Sequence, residues 1–348
     1  MIKGIHKRPI ISKVLSYSSI QNLGLCSRKF LLYKNKLRTK EVKTYFIYGS
    51  ILHELIQYYI TVARDGVIPT FAETKHKALR YVMKDLTDKQ KKGNTIDNMQ
   101  AIIDSLEKNF KEIHHFLLSF IQMWNNINFT FFNSEEYMEF NDSKGYIDLV
   151  CEDNEGRPVL IEIKTAKSKD LFETMKDISA TRQLKLYKKL FMKKYGVEPR
   201  TFYMIFPKSL GSVSYKKTKA GKLYAKTPPV YDTWIEEEDK KMFNFENTVT
   251  KESSILFAEV TITKEEIEDL NTFLNYNLKL VNLAEENNFP QLKGYHCMAG
   301  MMGCEYKWYC NDSSDEVLNN HYYIEKDNYK STNELEDDAF VVTYYGDK

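Results

Sequence analysis

Apolar and polar positions alternate with period two at the centre of the chain. From Tyr146 to Glu152, the residues Tyr146, Asp148 and Val150 alternate with Ile147, Leu149 and Cys151, and Pro158 to Lys164 is a second short run rich in Ile, Val and Leu. Asp153-Asn154-Glu155-Gly156 between them is turn chemistry, with Gly156 free to take a positive φ. The pattern predicts two short strands joined by a tight turn. Three charges interrupt it: Asp148, Glu162 and Lys164. Residues two apart on a strand share a face, so Glu162 and Lys164 point the same way, and hairpin pairing brings Asp148 next to them. Charge beside a core is expensive unless it is paired or holds a metal, which makes this hairpin a candidate site.

Elsewhere the period is helical. Ser18 or Ser19 can cap a helix running to Leu25, with Cys26 at its end. Ser50 is the expected N-cap of a helix from Ile51 to Ala63, striped by Leu52, Leu55, Ile56 and Tyr59, with His53 in its first turn. Residues 65–135 read as helical and polar, with Ile102, Leu106, Phe110, Ile113 and Leu117 as the buried face. Lys169 to Tyr195 is a further helical stretch, in which i,i+4 spacing puts Gln183 and Tyr187 on one face. Thr201 to Phe206 reads as a buried strand. Thr263-Lys264-Glu265-Glu266 is a capping box for a helix lined by Ile267, Leu270, Leu274, Leu278 and Val281 and ended by Phe289-Pro290. The fold class is α/β, a mixed sheet flanked by helices with helical elaboration at both ends.

Composition narrows the chemistry. The 348 residues are 43% hydrophobic and 14% aromatic, as in a folded globular chain, and the formal net charge is only +2. The distribution is uneven: residues 311–348 hold ten acids against three bases, leaving +9 on the remainder. A basic body with an acidic tail is compatible with a nucleic-acid partner. No run of 18 apolar residues exists and the first residues lack a hydrophobic signal core, so no membrane span is expected and the location is expected to be cytoplasmic (the host's cytoplasm for a phage-encoded protein). No nucleotide-cradling Walker A pattern occurs, so any motor working with this chain is another polypeptide. From Lys208 to Tyr231 the chain carries six lysines and no acid. This is either a solvated loop or a basic flap in which Lys216, Lys217, Lys219 and Lys222 meet a sugar-phosphate backbone.

Five cysteines in a chain of this kind point to metal or core roles. Cys297, Cys304 and Cys310 fall within fourteen residues among glycines, which favours a metal or cluster site. Three thiolates leave one ligand to find for tetrahedral zinc or a four-iron cluster, from Cys26, Cys151, His296 and His6. Taken alone, Cys26 and His53 read as core residues, and Gln183 with Tyr187 as the edge of a core.

In this order the pieces resemble the PD-(D/E)XK nuclease superfamily, specifically its RecB-like exonuclease branch with an iron–sulfur cluster, which includes AddB-type nuclease domains and the exonucleases of CRISPR adaptation. SYSSIQNLGLCSRKF is similar to the segment bearing the first cluster cysteine, YGSILHE to the histidine helix, GYIDLV and IEIKT to the two motif strands, and RQLKLY to the Q-x-x-x-Y helix. The last cysteines are spaced C-x6-C-x5-C here, where relatives usually have C-x2-C-x5-C. The resemblance implies a metal-dependent deoxyribonuclease acting on ends or single strands in replication, recombination or repair. It implies Mg²⁺ or Mn²⁺ held by His53, Asp148, Glu162 and the Ile163 carbonyl, with Lys164, Gln183 and Tyr187 completing the catalytic set. It also implies a [4Fe-4S] cluster on Cys26, Cys297, Cys304 and Cys310, leaving Cys151 in the core. DNA is the implied partner, with a separate helicase or recombination protein as a further one. The expected organisation is one nuclease domain, 1–310, comprising a helical N-terminal region (1–134), an α/β catalytic core (135–207), the Lys-rich flap (208–231) and a C-terminal helix and cluster region (260–310), followed by an acidic tail (311–348). A catalytically silent binding module on the same fold and a zinc-binding DNA-interaction protein are the alternatives.

Overall fold

The computed structural model describes residues 13–40, 44–62, 69–91, 99–166, 182–207, 214–217, 223–226, 255–291, 304–311 and 314–325. His6, His296, Cys297, Lys219 and Lys222 lie outside the described residues. Lys216 and Lys217 fall on one strand of a two-stranded ribbon, Ser214–Lys217 paired antiparallel with Leu223–Lys226.

Among the described residues, the central sheet has five strands. In chain order they are β2 (Thr130–Phe140), β3 (Ser143–Glu152), β4 (Pro158–Ala166), β5 (Arg200–Pro207) and β8 (Leu256–Glu259), the ribbon strands being β6 and β7. They lie side by side in that order, and of these contacts only β4–β5 is parallel. The mixed sheet expected from the sequence is therefore present. Gly156 sits in the β3–β4 turn at φ 74°, a conformation that a Cβ would disfavour.

Helices cover both faces. On one side, α1 (Tyr17–Leu25), α2 (Ser27–Lys34), α6 (Gln183–Tyr195) and α7 (Lys264–Glu286) pack Ile20, Leu31, Leu186, Leu190, Leu270 and Leu274 against Val150, Leu160, Tyr203 and Ile205. On the other, α3 (Thr44–Val62), α4 (Phe71–Lys91) and α5 (Met99–Asn126) pack Leu52, Ile56, Val82, Phe116 and Phe120 against Leu149, Cys151, Ile161, Ile163 and Met204. Each fully buried Leu, Ile or Phe contributes about 1.5–3 kcal/mol of transfer free energy. Burial, far more than helix propensity, fixes the layers.

Three local expectations are corrected. The cap of α1 is Ser16, whose side chain and that of Ser19 satisfy each other's backbone N–H. The helix carrying His53 starts at Thr44, so Ser50 lies inside it. Gly49 serves a different end there: a Cβ at that position would stand 3.3 Å from Thr165 Oγ1, so glycine lets α3 approach β4. The stretch read as helical to residue 135 ends at Asn126, and β2 follows. Its mixed polar sequence conceals it, because β2 is an edge strand with few buried positions.

At the far end of the chain, α8 (Lys307–Asn311) and α9 (Asp315–His321) lead into β9 (Tyr322–Ile324). This last strand pairs antiparallel with β1 (Leu37–Thr39). Tyr306, Tyr309 and Tyr322 pack there with Leu32 and Leu37 as a separate small core.

Candidate active site

The hairpin opens where its charges lie. β3 and β4 are paired from Glu152–Pro158 only as far as Leu149–Ile161. Beyond that rung β3 continues beside β2, and β4 continues beside β5. Asp148 and Glu162 are the first residues past the last rung, one on each diverging strand. The fork is bridged by Asp148 itself, whose Oδ2 accepts the Ile163 backbone N–H at 2.6 Å.

The sense of alternation also changes at this row. Ile147 joins the core under α6, whereas Leu149 joins the core under α3 to α5, although residues two apart on a strand normally share a face. Across from Asp148, between the Ser134–Leu149 and Glu136–Ile147 pairs, stands Glu135 at φ 52°. A non-glycine residue in that left-handed conformation is unusual and costs of order 1–3 kcal/mol. The kink turns the carboxylate toward α3, where Gln57 Nε2 donates to Glu135 Oε1 at 3.0 Å.

One helical turn before Gln57, α3 presents His53, with Nδ1 3.8 Å from Asp148 Oδ1. The Ile163 backbone also lies within hydrogen-bonding reach of the imidazole. Burial holds the His53 pKa below its ordinary value, so the ring is neutral near pH 7 and has a lone pair to give. His53, Glu135 and Asp148 each offer a ligand atom within 4.8 Å of the others. Glu162 is 1% exposed. Its Oε1 is paired with the Lys164 ammonium, while its Oε2 is buried without a hydrogen-bond partner among the described residues. A buried carboxylate oxygen left in this way is costly, and a hard cation satisfies it.

Electrostatics agree. Burial first, and then Glu135, push the Asp148 carboxyl up to about 7, against the pull of Lys164. Burial first, and then Asp148, push Glu162 up to about 7. Loss of solvent, with Glu162 and Glu54 nearby, raises Glu135 as well. Burial works against the charge on Lys164, but Glu162 and Asp148 outweigh it and raise its pKa, so it stays cationic. Three carboxylates driven toward protonation by burial first, and by neighbouring negative charge second, form a site short of positive charge. The donor set therefore fits a divalent cation.

From the other layer, α6 closes the site. Tyr187 is buried, and Gln183 Nε2 donates to its phenol oxygen at 2.7 Å. Burial and then Glu162 raise the phenol pKa, so it remains a protonated donor. Its ring lies against Gly145 of β3, where a Cβ would come within 2.4 Å of Tyr187 Cε1.

The structure thus brings together His53, Asp148, Glu162, Ile163, Lys164, Gln183 and Tyr187. Sequence reading missed Glu135. A usable signal was the Asn141-Asp142 turn: it pairs Phe140 with Ser143, and counting rungs outward from there reaches Glu135 opposite Asp148.

The cysteines divide. Cys151 is buried in the core under α3 to α5, and burial pushes its thiol up to about 12. Cys26 is buried at the α1–α2 junction, and Cys304 and Cys310 pack on the small tyrosine core, where both lie close enough to Tyr322 to affect its phenol. The segments bearing them are tied together. Ser27 and Arg28 donate to the carbonyls of Pro290 and Phe289 at 2.7 and 2.8 Å, and Lys29 pairs with Glu305 at 3.7 Å.

No curated protein matches this sequence. A solved structure titled "Crystal structure of SSO0001" is similar at 12% identity, covering 78% of this chain and 94% of its own, with a TM-score of 0.22, too low to carry an argument. Over residues 14–311, however, the sequence matches the family model for the PD-(D/E)XK nuclease superfamily. That span includes every residue of the forked site, and the chain belongs to this superfamily.

Proposed function

We propose that the protein is a metal-dependent deoxyribonuclease of the RecB-like exonuclease branch, hydrolysing phosphodiester bonds at DNA ends or in single strands during replication, recombination or repair. The observation that carries this reading is the fork itself: Asp148, Glu162 and Lys164 meet His53 where β3 and β4 part, and one Glu162 oxygen is left without a partner among the described residues.

Mg²⁺ or Mn²⁺ would be held by His53, Asp148, Glu162 and the Ile163 carbonyl, with Glu135 alongside. When bound, the ion supplies Lewis acidity toward the scissile phosphate and lowers the pKa of a bound water. The chain supplies the rest. Glu162 orients the Lys164 ammonium through their contact, which aims a fixed positive charge at the phosphate as negative charge builds on it. Tyr187, held by Gln183 and kept protonated, offers a hydrogen bond from the α6 side. Asp148 ties the fork to the Ile163 backbone and keeps the carboxylates from drifting apart.

The cysteines support a structural [4Fe-4S] cluster on Cys26, Cys297, Cys304 and Cys310. It would staple α2 to the C-terminal segment, where the Lys29–Glu305 pair already joins them. The basic ribbon region, with Lys216, Lys217, Lys219 and Lys222, would track the DNA backbone. The domain organisation proposed is one nuclease domain over 1–310.

The deciding experiment incubates the purified protein with 5′- and 3′-labelled single and double strands in Mg²⁺ or Mn²⁺. Stepwise shortening by the wild type, absent in Glu162→Gln and Lys164→Ala, is expected. Wild type that is as inert as the variants on every substrate would overturn the reading.

A further inference from the structure

Beside the forked site lies a pair of exposed aromatic rings for which the chemistry above has no use. Tyr137 and Tyr146 are directly opposed on β2 and β3, with ring centroids 5.0 Å apart. They are 40% and 45% exposed. Their strand neighbours Met138 and Gly145 face α6, Met138 within the buried core and Gly145 against Tyr187. By alternation the two tyrosines therefore project on the other side of the sheet, where α3 places His53 and Gln57. They occupy the second rung beyond Glu135 and Asp148, about 7 Å along the strands.

Cross-strand aromatic pairs stabilise sheets. An exposed pair at the lip of a reaction site nonetheless leaves apolar area in water, and the surroundings limit what can cover it. Glu135 precedes Tyr137 by two residues, and Glu139 follows it by two and accepts a hydrogen bond from its hydroxyl. These carboxylates disfavour a phosphate over the Tyr137 ring, whereas Lys144, opposite Glu139 and two residues before Tyr146, leaves room for one at the outer edge of the pair. The carboxylates do not repel the face of a nucleobase, and every base has one. The Glu139 contact also fixes the Tyr137 ring, so little rotamer freedom is lost when something stacks on it.

We propose that Tyr137 and Tyr146 form a stacking shelf for a nucleobase next to the scissile phosphate, which favours a single strand whose bases are already unpaired. This inference rests on the nuclease reading but is tested separately from cleavage. In the inactive Glu162→Gln protein with Mg²⁺, single strands carrying the fluorescent base 2-aminopurine at successive positions are titrated. Quenching confined to one position near the site is expected. Tyr146→Ala or Tyr137→Ala should remove that quenching and weaken binding roughly 5- to 100-fold, as loss of one stacked base does. Tyr146→Phe, which keeps the ring, should bind like the parent. An abasic nucleotide at the quenched position should make the alanine variants and the parent bind alike. Equal quenching at all positions, an alanine penalty that persists on the abasic strand, or no alanine penalty overturns the shelf. A wild type that cleaves nothing overturns the nuclease reading instead, whatever the quenching shows.

Discussion

The ring of Tyr187 occupies the space that a side chain at Gly145 would need, with only 2.4 Å between Tyr187 Cε1 and the position of a Cβ. Glycine at the start of the motif strand is thus a requirement of the helix opposite. Gly145→Ala is expected to push Tyr187 away from Glu162 and lower the cleavage rate about 10- to 100-fold, the scale of a misplaced catalytic group. The chain should stay folded by circular dichroism. Tyr187→Phe, which keeps the ring and loses the hydroxyl, separates the packing role from the hydrogen-bonding one.

The raised carboxyls predict a pH dependence with a definite sign. Asp148 and Glu162 have folded-state pKa values near 7, above their ordinary values of 3.8 and 4.5. Without metal, their contribution to stability is fully present below the ordinary values and is lost as pH rises through about 7. Metal needs them deprotonated, so binding releases protons and tightens with rising pH. The melting-temperature gain on adding Mg²⁺ or Mn²⁺ should therefore grow between pH 6 and pH 8, as a rough window around those values. Glu162→Gln removes the buried charge and should melt a few degrees higher than wild type at pH 8 without metal, on the order of 2–4 °C per kcal/mol, while losing activity.

Glu135 is predicted to bear on the ion. Glu135→Gln should weaken Mn²⁺ affinity roughly 10- to 100-fold, and Gln57→Ala should do so by a smaller factor, since Gln57 only orients the carboxylate. Titration calorimetry with Mn²⁺ measures both. Unchanged affinity in Glu135→Gln would show that the kinked strand serves the fold alone.

At the opposite end of the sheet, Arg200 makes two bonds to Glu259, at 2.8 and 2.5 Å, and one to Asp153 at 2.9 Å. Burial works against the charge on Asp153, but the Arg157 backbone and the Arg200 and Arg157 guanidiniums hold its pKa down to about 2. The stability it contributes is present above its ordinary value of 3.8 and is lost as pH falls toward 2. Arg200→Met should lower the melting temperature at pH 7 and lose that deficit in acid, with the metal site unaffected.

For the cysteines, anaerobic purification should give a brown protein holding iron and sulfide, and a colourless zinc protein would exclude the cluster. Cys304→Ser should bleach it. Cys151→Ser should not, since Cys151 lies in the core with a protonated thiol.

The hairpin was legible because its apolar alternation is strong and the turn at Gly156 is explicit. His53, Gln183 and Tyr187 became legible only as members of an ordered set, since each alone has a bland explanation. Glu135 was hidden for a physical reason. It is one of two adjacent acids in an edge strand whose exposed positions carry no hydrophobic signal, and its positive φ is set by tertiary pairing. Ser50 was misread as a cap because serine after glycine resembles a helix start, whereas the helix begins at Thr44 and the glycine before Ser50 answers to a contact with Thr165, distant in sequence.

The pairing of β1 with β9 predicts an order of assembly. Leu37 meets Ile324, and Tyr306 donates its hydroxyl proton to the Leu37 carbonyl from near the same end of the chain. On the ribosome, the forked strands and α6 are complete long before that partner emerges. The carboxylates of the fork would thus be assembled while β1 still has an open edge, and contacts so far apart in sequence form slowly. The clasp, not the central sheet, is then the expected late step of folding. A chain cut before Asp315 would keep its site but leave β1 unpaired and ready to pair with a second copy.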